Sequence, residues 1–158
     1  MIRVMFICHG NICRSPMAEF ILKDMVEKKG LSHKFVISSC ATSREEIWGG
    51  TGNPVYPPAR EELAKHGISC EGKRAVQLTK SDYESYDYLL CMDNTNIRNA
   101  KRILGSDPEN KLRLLLSFAG ENDSIADPWY FGGFDRTYSD ILRGCSAFLD
   151  CLQRENKI

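Results

Sequence analysis

The apolar run from Ile2 to Ile7, interrupted only by Arg3, constrains this chain more than any other stretch. A segment that short, apolar on both faces, fits a central strand of a parallel sheet covered on each side by helices. The runs Phe35-Val36-Ile37, Tyr86 to Met92 and Lys111 to Leu116 are expected to supply three more strands. Between and after them, apolar residues return at helical spacing. Met17, Phe20, Ile21, Met25 and Val26 form one stripe ending at Gly30, and Ala59 to His66 a short one closed by Gly67. Ile97, Ala100, Ile103 and Leu104 give a third, and Tyr138 to Leu152 a long last one. Strands alternating with helices predict a three-layer α/β/α fold around a four-stranded parallel sheet. Ser43 to Pro58, with three glycines and three prolines, reads as a long surface loop.

At 158 residues, a single domain over 1–158 can bury roughly 70% of its unfolded surface and needs no staples. Lys plus Arg and Asp plus Glu each number 21, which argues against a general nucleic-acid or membrane-surface binder. No stretch approaches the ~20 apolar residues of a membrane span, and the start lacks the pattern of a cleavable signal. Seven cysteines without a C-x-x-C pair resemble neither a zinc site nor a secreted disulfide framework. Reduced thiols and a cytoplasmic location are therefore expected, with no metal and no cofactor.

In parallel α/β sheets ligands bind beyond the carboxyl ends of the strands. There, after the first strand, stands Cys8-His9-Gly10-Asn11-Ile12-Cys13-Arg14-Ser15-Pro16. Ser15 reads as a helix cap and Pro16 as the first helical residue. A loop opening a helix aims backbone N–H groups at one point, where the helix dipole adds positive potential. Gly10 permits close approach and Asn11 tolerates a left-handed conformation, so His9 to Ser15 form a phosphate-binding loop. Arg14 can clamp an oxyanion with two parallel N–H bonds. Cys8 sits where helix N-termini and cations favour thiolate over thiol, and the Ser15 hydroxyl can donate to it. An aryl phosphate also needs a proton donor for its leaving oxygen. Asp127-Pro128-Trp129-Tyr130 offers one, an aspartate whose aromatic neighbours are expected to disfavour its charge.

These strings, with Ser39-Cys40-Ala41-Thr42-Ser43, His66-Gly67 and Leu90-Cys91-Met92-Asp93, resemble the low-molecular-weight protein tyrosine phosphatases nearly end to end. The resemblance implies Cys8 as nucleophile, Arg14 as phosphate clamp and Asp127 as general acid and base, acting through a phosphocysteine on a phosphotyrosine-containing protein or a small aryl phosphate. It implies loop support for a left-handed Asn11 from Ser15, Ser39 and His66, and a place for Asp93 close to the loop. Ile47, Trp48, Trp129 and Tyr130 are implied as pocket walls. Cys13 is implied as a disulfide partner of Cys8 under oxidation, and Ile12 leans toward phosphotyrosine over phosphoarginine. Trp48 to Thr51 stands as an insertion relative to the family pattern. A monomer is expected, with weak self-association through tyrosines such as Tyr83, Tyr86 or Tyr130. Two other readings share the loop: an arsenate-reductase-like thiol oxidoreductase, which needs two further closely spaced cysteines where Cys70 and Cys91 are 21 residues apart and are expected to be packing residues, and a non-catalytic phosphopeptide binder.

Overall fold

A computed structural model describes all residues 1–158. Strand β1 (Ile2–Cys8) leads through a loop into helix α1 (Arg14–Lys28), which returns to strand β2 (Phe35–Ala41). A hairpin of β3 (Ile47–Trp48) and β4 (Thr51–Gly52) precedes helix α2 (Pro57–Lys65) and the one-turn helix α3 (Asp82–Ser85). Strand β5 (Tyr88–Cys91), helix α4 (Asn94–Leu104) and strand β6 (Leu112–Leu114) follow. A 3₁₀ turn over Leu115–Ala119, the short helix α5 (Pro128–Phe131) and the long helix α6 (Phe134–Arg154) complete the chain.

The four long-range strands pair in the order β2-β1-β5-β6, all parallel, with Ile2 opposite Phe35 and Cys8 opposite Ala41. β1 is central, and alternation along it divides the core. Val4, Phe6 and Cys8 face a large cluster built with α1, α2 and α6, whereas Met5 and Ile7 face a smaller one with Tyr83, Ala100 and Leu104. Each face of β1 is thus covered, which is why its sequence is apolar almost throughout. The expected three-layer architecture with a four-stranded parallel sheet is what the chain adopts. No helix is long and apolar enough to cross a membrane.

Several boundaries differ from the sequence expectations, each for a local reason. The third strand begins at Tyr88 because Asp82 to Ser85 turn into a helix first, and the fourth ends at Leu114 where the 3₁₀ turn starts. Ser15 does not cap α1: the helix begins at Arg14, Cys13 occupies the cap position, and no side chain caps it. Pro16 lies in the first turn, where a missing N–H leaves no helical bond unmade. The stretch 43–58 is not wholly irregular. Gly49 and Gly50, with φ of 56° and 82°, close the β3–β4 hairpin in the left-handed conformations that two-residue hairpin turns require. Gly144 lets α6 lie against the 3₁₀ turn, since a Cβ there would stand 2.6 Å from Leu115 Cγ.

Candidate active site

β1 delivers Cys8 to the carboxyl edge of the sheet. The loop that follows is fastened to the exit of β2, with Thr42 N–H donating to the Cys8 carbonyl and Ser43 N–H to the His9 carbonyl, both at 3.0 Å. Its apex is Asn11, whose φ of 59° is left-handed and therefore strained for a residue with a side chain. The Asn11 amide is bonded in three directions. Its Nδ2 donates to Ser15 Oγ at 2.7 Å and to Ser39 Oγ at 2.9 Å, and its Oδ1 accepts from Val76 N–H at 3.1 Å. Three bonds at about 1 kcal/mol each are enough to offset strain of order 1–3 kcal/mol.

With Asn11 in that conformation, its backbone N–H donates to Cys8 Sγ at 3.4 Å. Ser15 Oγ stands 3.0 Å from the same sulfur. Ser15 Oγ accepts from Asn11, and its own proton has two acceptors in reach, the sulfur at 3.0 Å and the Cys40 carbonyl at 3.4 Å. Cys8 and Asn11 are 3% and 1% exposed, so this geometry is fixed by packing as well as by hydrogen bonds.

Arg14 is equally enclosed. Its Nη1 donates to Asp93 Oδ2 and to the Ile125 carbonyl, both at 2.8 Å, and its Nη2 lies 3.5 Å from Asp127 Oδ2. Burial works against the guanidinium charge, but Cys8 and the carboxylates of Asp93 and Asp127 outweigh it and hold the Arg14 pKa above its ordinary value. Asp93 has a second task as the N-cap of α4, accepting from Asn96 N–H at 2.7 Å within a reciprocal capping box. Asp127 caps α5, its Oδ1 accepting from Trp129 N–H at 3.0 Å. A cation and a backbone donor therefore hold its carboxylate, in addition to the aromatic rings expected beside it.

These groups converge on a pocket of about 100 Å³ whose floor is Cys8 to Arg14. One wall is Asp127, Trp129 and Tyr130, and the other is Glu45 and Glu46. A narrow cleft with a thiol and an arginine at its base, and a carboxylate and two rings on one wall, suits a flat aryl ester of a tetrahedral anion.

Residues 3–158 match the family model described as low molecular weight phosphotyrosine protein phosphatase. A low molecular weight protein-tyrosine-phosphatase of Bacillus subtilis, YfkJ, is 36% identical over 160 residues, spanning 100% of both chains. Its crystal structure superposes with a TM-score of 0.91 over 98% of this chain and 96% of that one. The low molecular weight phosphotyrosine protein phosphatase of Gallus gallus is 38% identical, covering 93% of each chain. A low molecular weight protein tyrosine phosphatase structure from Streptococcus pyogenes gives a TM-score of 0.82 at 35% identity, over 98% of this chain and 93% of that one. The chain belongs to the low-molecular-weight phosphotyrosine protein phosphatase family. It is accordingly a hydrolase of the protein tyrosine phosphatase class.

Within this phosphatase, the structure departs from the sequence expectations in the surroundings of the loop. His66 does not brace Asn11. It follows α2, stacks on Tyr138 with ring centroids 3.7 Å apart, and pairs through Nε2 with Glu62 at 3.2 Å. The brace continues instead from Ser39, whose hydroxyl accepts from Asn11 and donates to Glu19 Oε1 at 2.6 Å. Lys73 Nζ completes it, donating to the Ser39 carbonyl at 3.0 Å and lying 3.4 Å from Glu19 Oε1. Glu19, 5% exposed, also accepts from Lys23 at 2.6 Å. A local signal for Glu19 and Lys23 existed in their i, i+4 spacing on α1; Lys73 has none.

Ile47 and Trp48 do not line the pocket. Consecutive strand residues face opposite ways, so Ile47 packs toward Ile12, Cys13 and Ala75 while Trp48 is 75% exposed. Tyr56, missed in the sequence, backs Trp129 with centroids 4.6 Å apart. Tyr83 is not a surface tyrosine: it is buried, and its hydroxyl donates to Asp107 at 2.6 Å. Cys13 is buried within the loop, and burial, with Cys8 and Asp127 adding to it, pushes its thiol pKa up. Cys70 and Cys91 are packing residues as expected, in different cores on opposite faces of the sheet.

Proposed function

We propose that this phosphatase hydrolyses phosphotyrosine monoesters in two steps through a phosphocysteine at Cys8. In the first, the Cys8 sulfur attacks phosphorus as the bond to the aryl oxygen breaks, and Asp127 gives its proton to the departing phenolate. In the second, water attacks phosphorus, Asp127 takes a proton from it, and the sulfur leaves as thiolate with the Ser15 hydroxyl donating to it. Arg14 Nη1 is committed to Asp93 and the Ile125 carbonyl, so its Nε–Nη2 edge is the one left for two equatorial oxygens. Loop amides serve the same oxygens in a site where positioning and electrostatics supply most of the acceleration. The substrate is a phosphotyrosine-containing protein or a small aryl phosphate, its ring against Trp129 and Tyr130.

The observation that carries this reading is the meeting of Cys8 Sγ, 3.0 Å from Ser15 Oγ, with an arginine that itself lies 3.5 Å from Asp127 on one pocket wall. Turnover of a series of aryl phosphates tests it. Asp127→Asn is expected to lose most activity on esters with basic leaving groups and much less on acidic ones, while Cys8→Ser is inactive on all. A uniform loss across the series for Asp127→Asn would remove Asp127 as the proton donor. We further propose a cytoplasmic setting, consistent with seven cysteines all present as free thiols.

A further inference from the structure

A second, larger cavity of about 530 Å³ lies between α2 and the segment 67–73. Its lining joins apolar Val55, Ala64, Ile68 and Cys70 to two cations, Arg60 and Lys73. The volume falls in the range of small-ligand sites, and an apolar surface with a few polar groups is their usual composition. Arg60 is exposed and takes no part in the ion pairs that engage its neighbours Glu62, Lys65 and Lys73. Glu71 also lines the cavity, as its single carboxylate.

Lys73 belongs to two structures at once. It lines this groove, and its ammonium donates to the Ser39 carbonyl and pairs with Glu19. Glu19 accepts from the Ser39 hydroxyl, which accepts from the Asn11 side chain, and the Asn11 backbone N–H donates to Cys8. An anion entering the groove beside Arg60 would compete with Glu19 and the Ser39 carbonyl for the Lys73 ammonium. We propose that the groove is a regulatory site for an amphipathic organic anion, an apolar ring or chain ending in a sulfonate, carboxylate or phosphate, and that its occupancy loosens the brace under Asn11 and slows turnover.

The probe is naphthalene-2-sulfonate, titrated into the full chain and followed by amide chemical shifts and by para-nitrophenyl phosphate hydrolysis. Saturation is expected to shift amides within 55–73 and the Asn11 side-chain amide, and to lower kcat about fivefold, beyond any rise in KM from the sulfonate competing at the catalytic pocket, the lower end of usual coupling between sites. Arg60→Ala, outside the catalytic machinery, keeps the basal rate and weakens the response; Arg60→Lys restores part of it. Lys73→Met lowers kcat without the probe and abolishes the further effect. Purely competitive inhibition, shifts confined to the catalytic pocket, an undiminished response in Arg60→Ala, or groove shifts without a change at Asn11 would each overturn the proposal. The shift measurement needs no turnover, so it stands apart from the catalytic reading; an absence of hydrolysis without the probe would count against that reading alone.

Discussion

Asp93 performs two tasks that can be separated by substitution. It anchors the buried Arg14 guanidinium at 2.8 Å, and it caps α4 by accepting from Asn96 N–H at 2.7 Å. Asparagine caps helices about as well as aspartate, so Asp93→Asn keeps the cap through its one oxygen, removes the charge and turns a donor NH2 toward Nη1 in place of an acceptor. Asp93→Ala removes everything. A lost N-cap costs ~1 kcal/mol. Breaking a buried ion pair costs about 3–5 kcal/mol, but the Asp93 side chain is 23% exposed, and Arg14 retains the Ile125 carbonyl and Asp127. The pair term here is therefore nearer 2 kcal/mol. Asp93→Ala is expected to lose about 3 kcal/mol of stability and Asp93→Asn about 1–2 kcal/mol. Both free the guanidinium to shift, and a displacement of the order of 1 Å at a clamp costs up to ~100-fold in rate. Urea unfolding and kcat/KM on para-nitrophenyl phosphate measure the two effects, and inorganic phosphate as a competitive inhibitor reports the clamp directly. If Asp93→Asn matched wild type in kcat/KM and phosphate affinity, Asp93 would be a helix cap only and its positioning role would be wrong.

Three further outcomes follow from the geometry. Ser39→Ala breaks the link between Asn11 and the buried Glu19, and is expected to cost about 2 kcal/mol in urea unfolding and to lower kcat more than it changes KM. Gly144→Ala places a methyl 2.6 Å from Leu115 Cγ and should destabilise by about 1–3 kcal/mol, read from the shift in urea midpoint. Burial pushes the Cys40, Cys91 and Cys145 thiols up, so above the ordinary thiol range near 8.5 the unfolded chain releases protons that the folded chain retains. Stability is then expected to be full below that pH and to fall above it, each thiol adding up to about 1.4 kcal/mol per pH unit. Urea midpoints between pH 7 and 10 check the sign, and Cys145→Ala should flatten the fall.

What the sequence disclosed and what it concealed divide along contact range. β1 declared itself because burial on both faces leaves a continuous apolar run, and α6 because a single buried stripe leaves a periodic one. The loop from Cys8 to Arg14 is local, so its residue types and spacing carried its place as the lining of the pocket. Asp127 was legible through its Pro-Trp-Tyr context, although the donors to its carboxylate were not. His66 is expected in the brace only through the family resemblance, whereas the group that reaches Ser39 is a lysine 34 residues away along the chain, beyond any local pattern. Trp48 was misplaced for a related reason. A glycine pair hides a hairpin, and strand alternation then turns the ring outward while Glu45 and Glu46 line the pocket. Ser15-Pro16 has the composition of a helix start, yet the serine is drawn inward to Asn11 and sulfur.

The most direct measurement of the central claim is acid-quenched turnover of an aryl phosphate followed by mass spectrometry of the peptide carrying Cys8 and Cys13. One phosphoryl group on Cys8, accumulating early in turnover and absent after substrate is exhausted, is the expected result. Steady hydrolysis with no phosphoryl group on Cys8 at any time, or with the group on another residue, would contradict it.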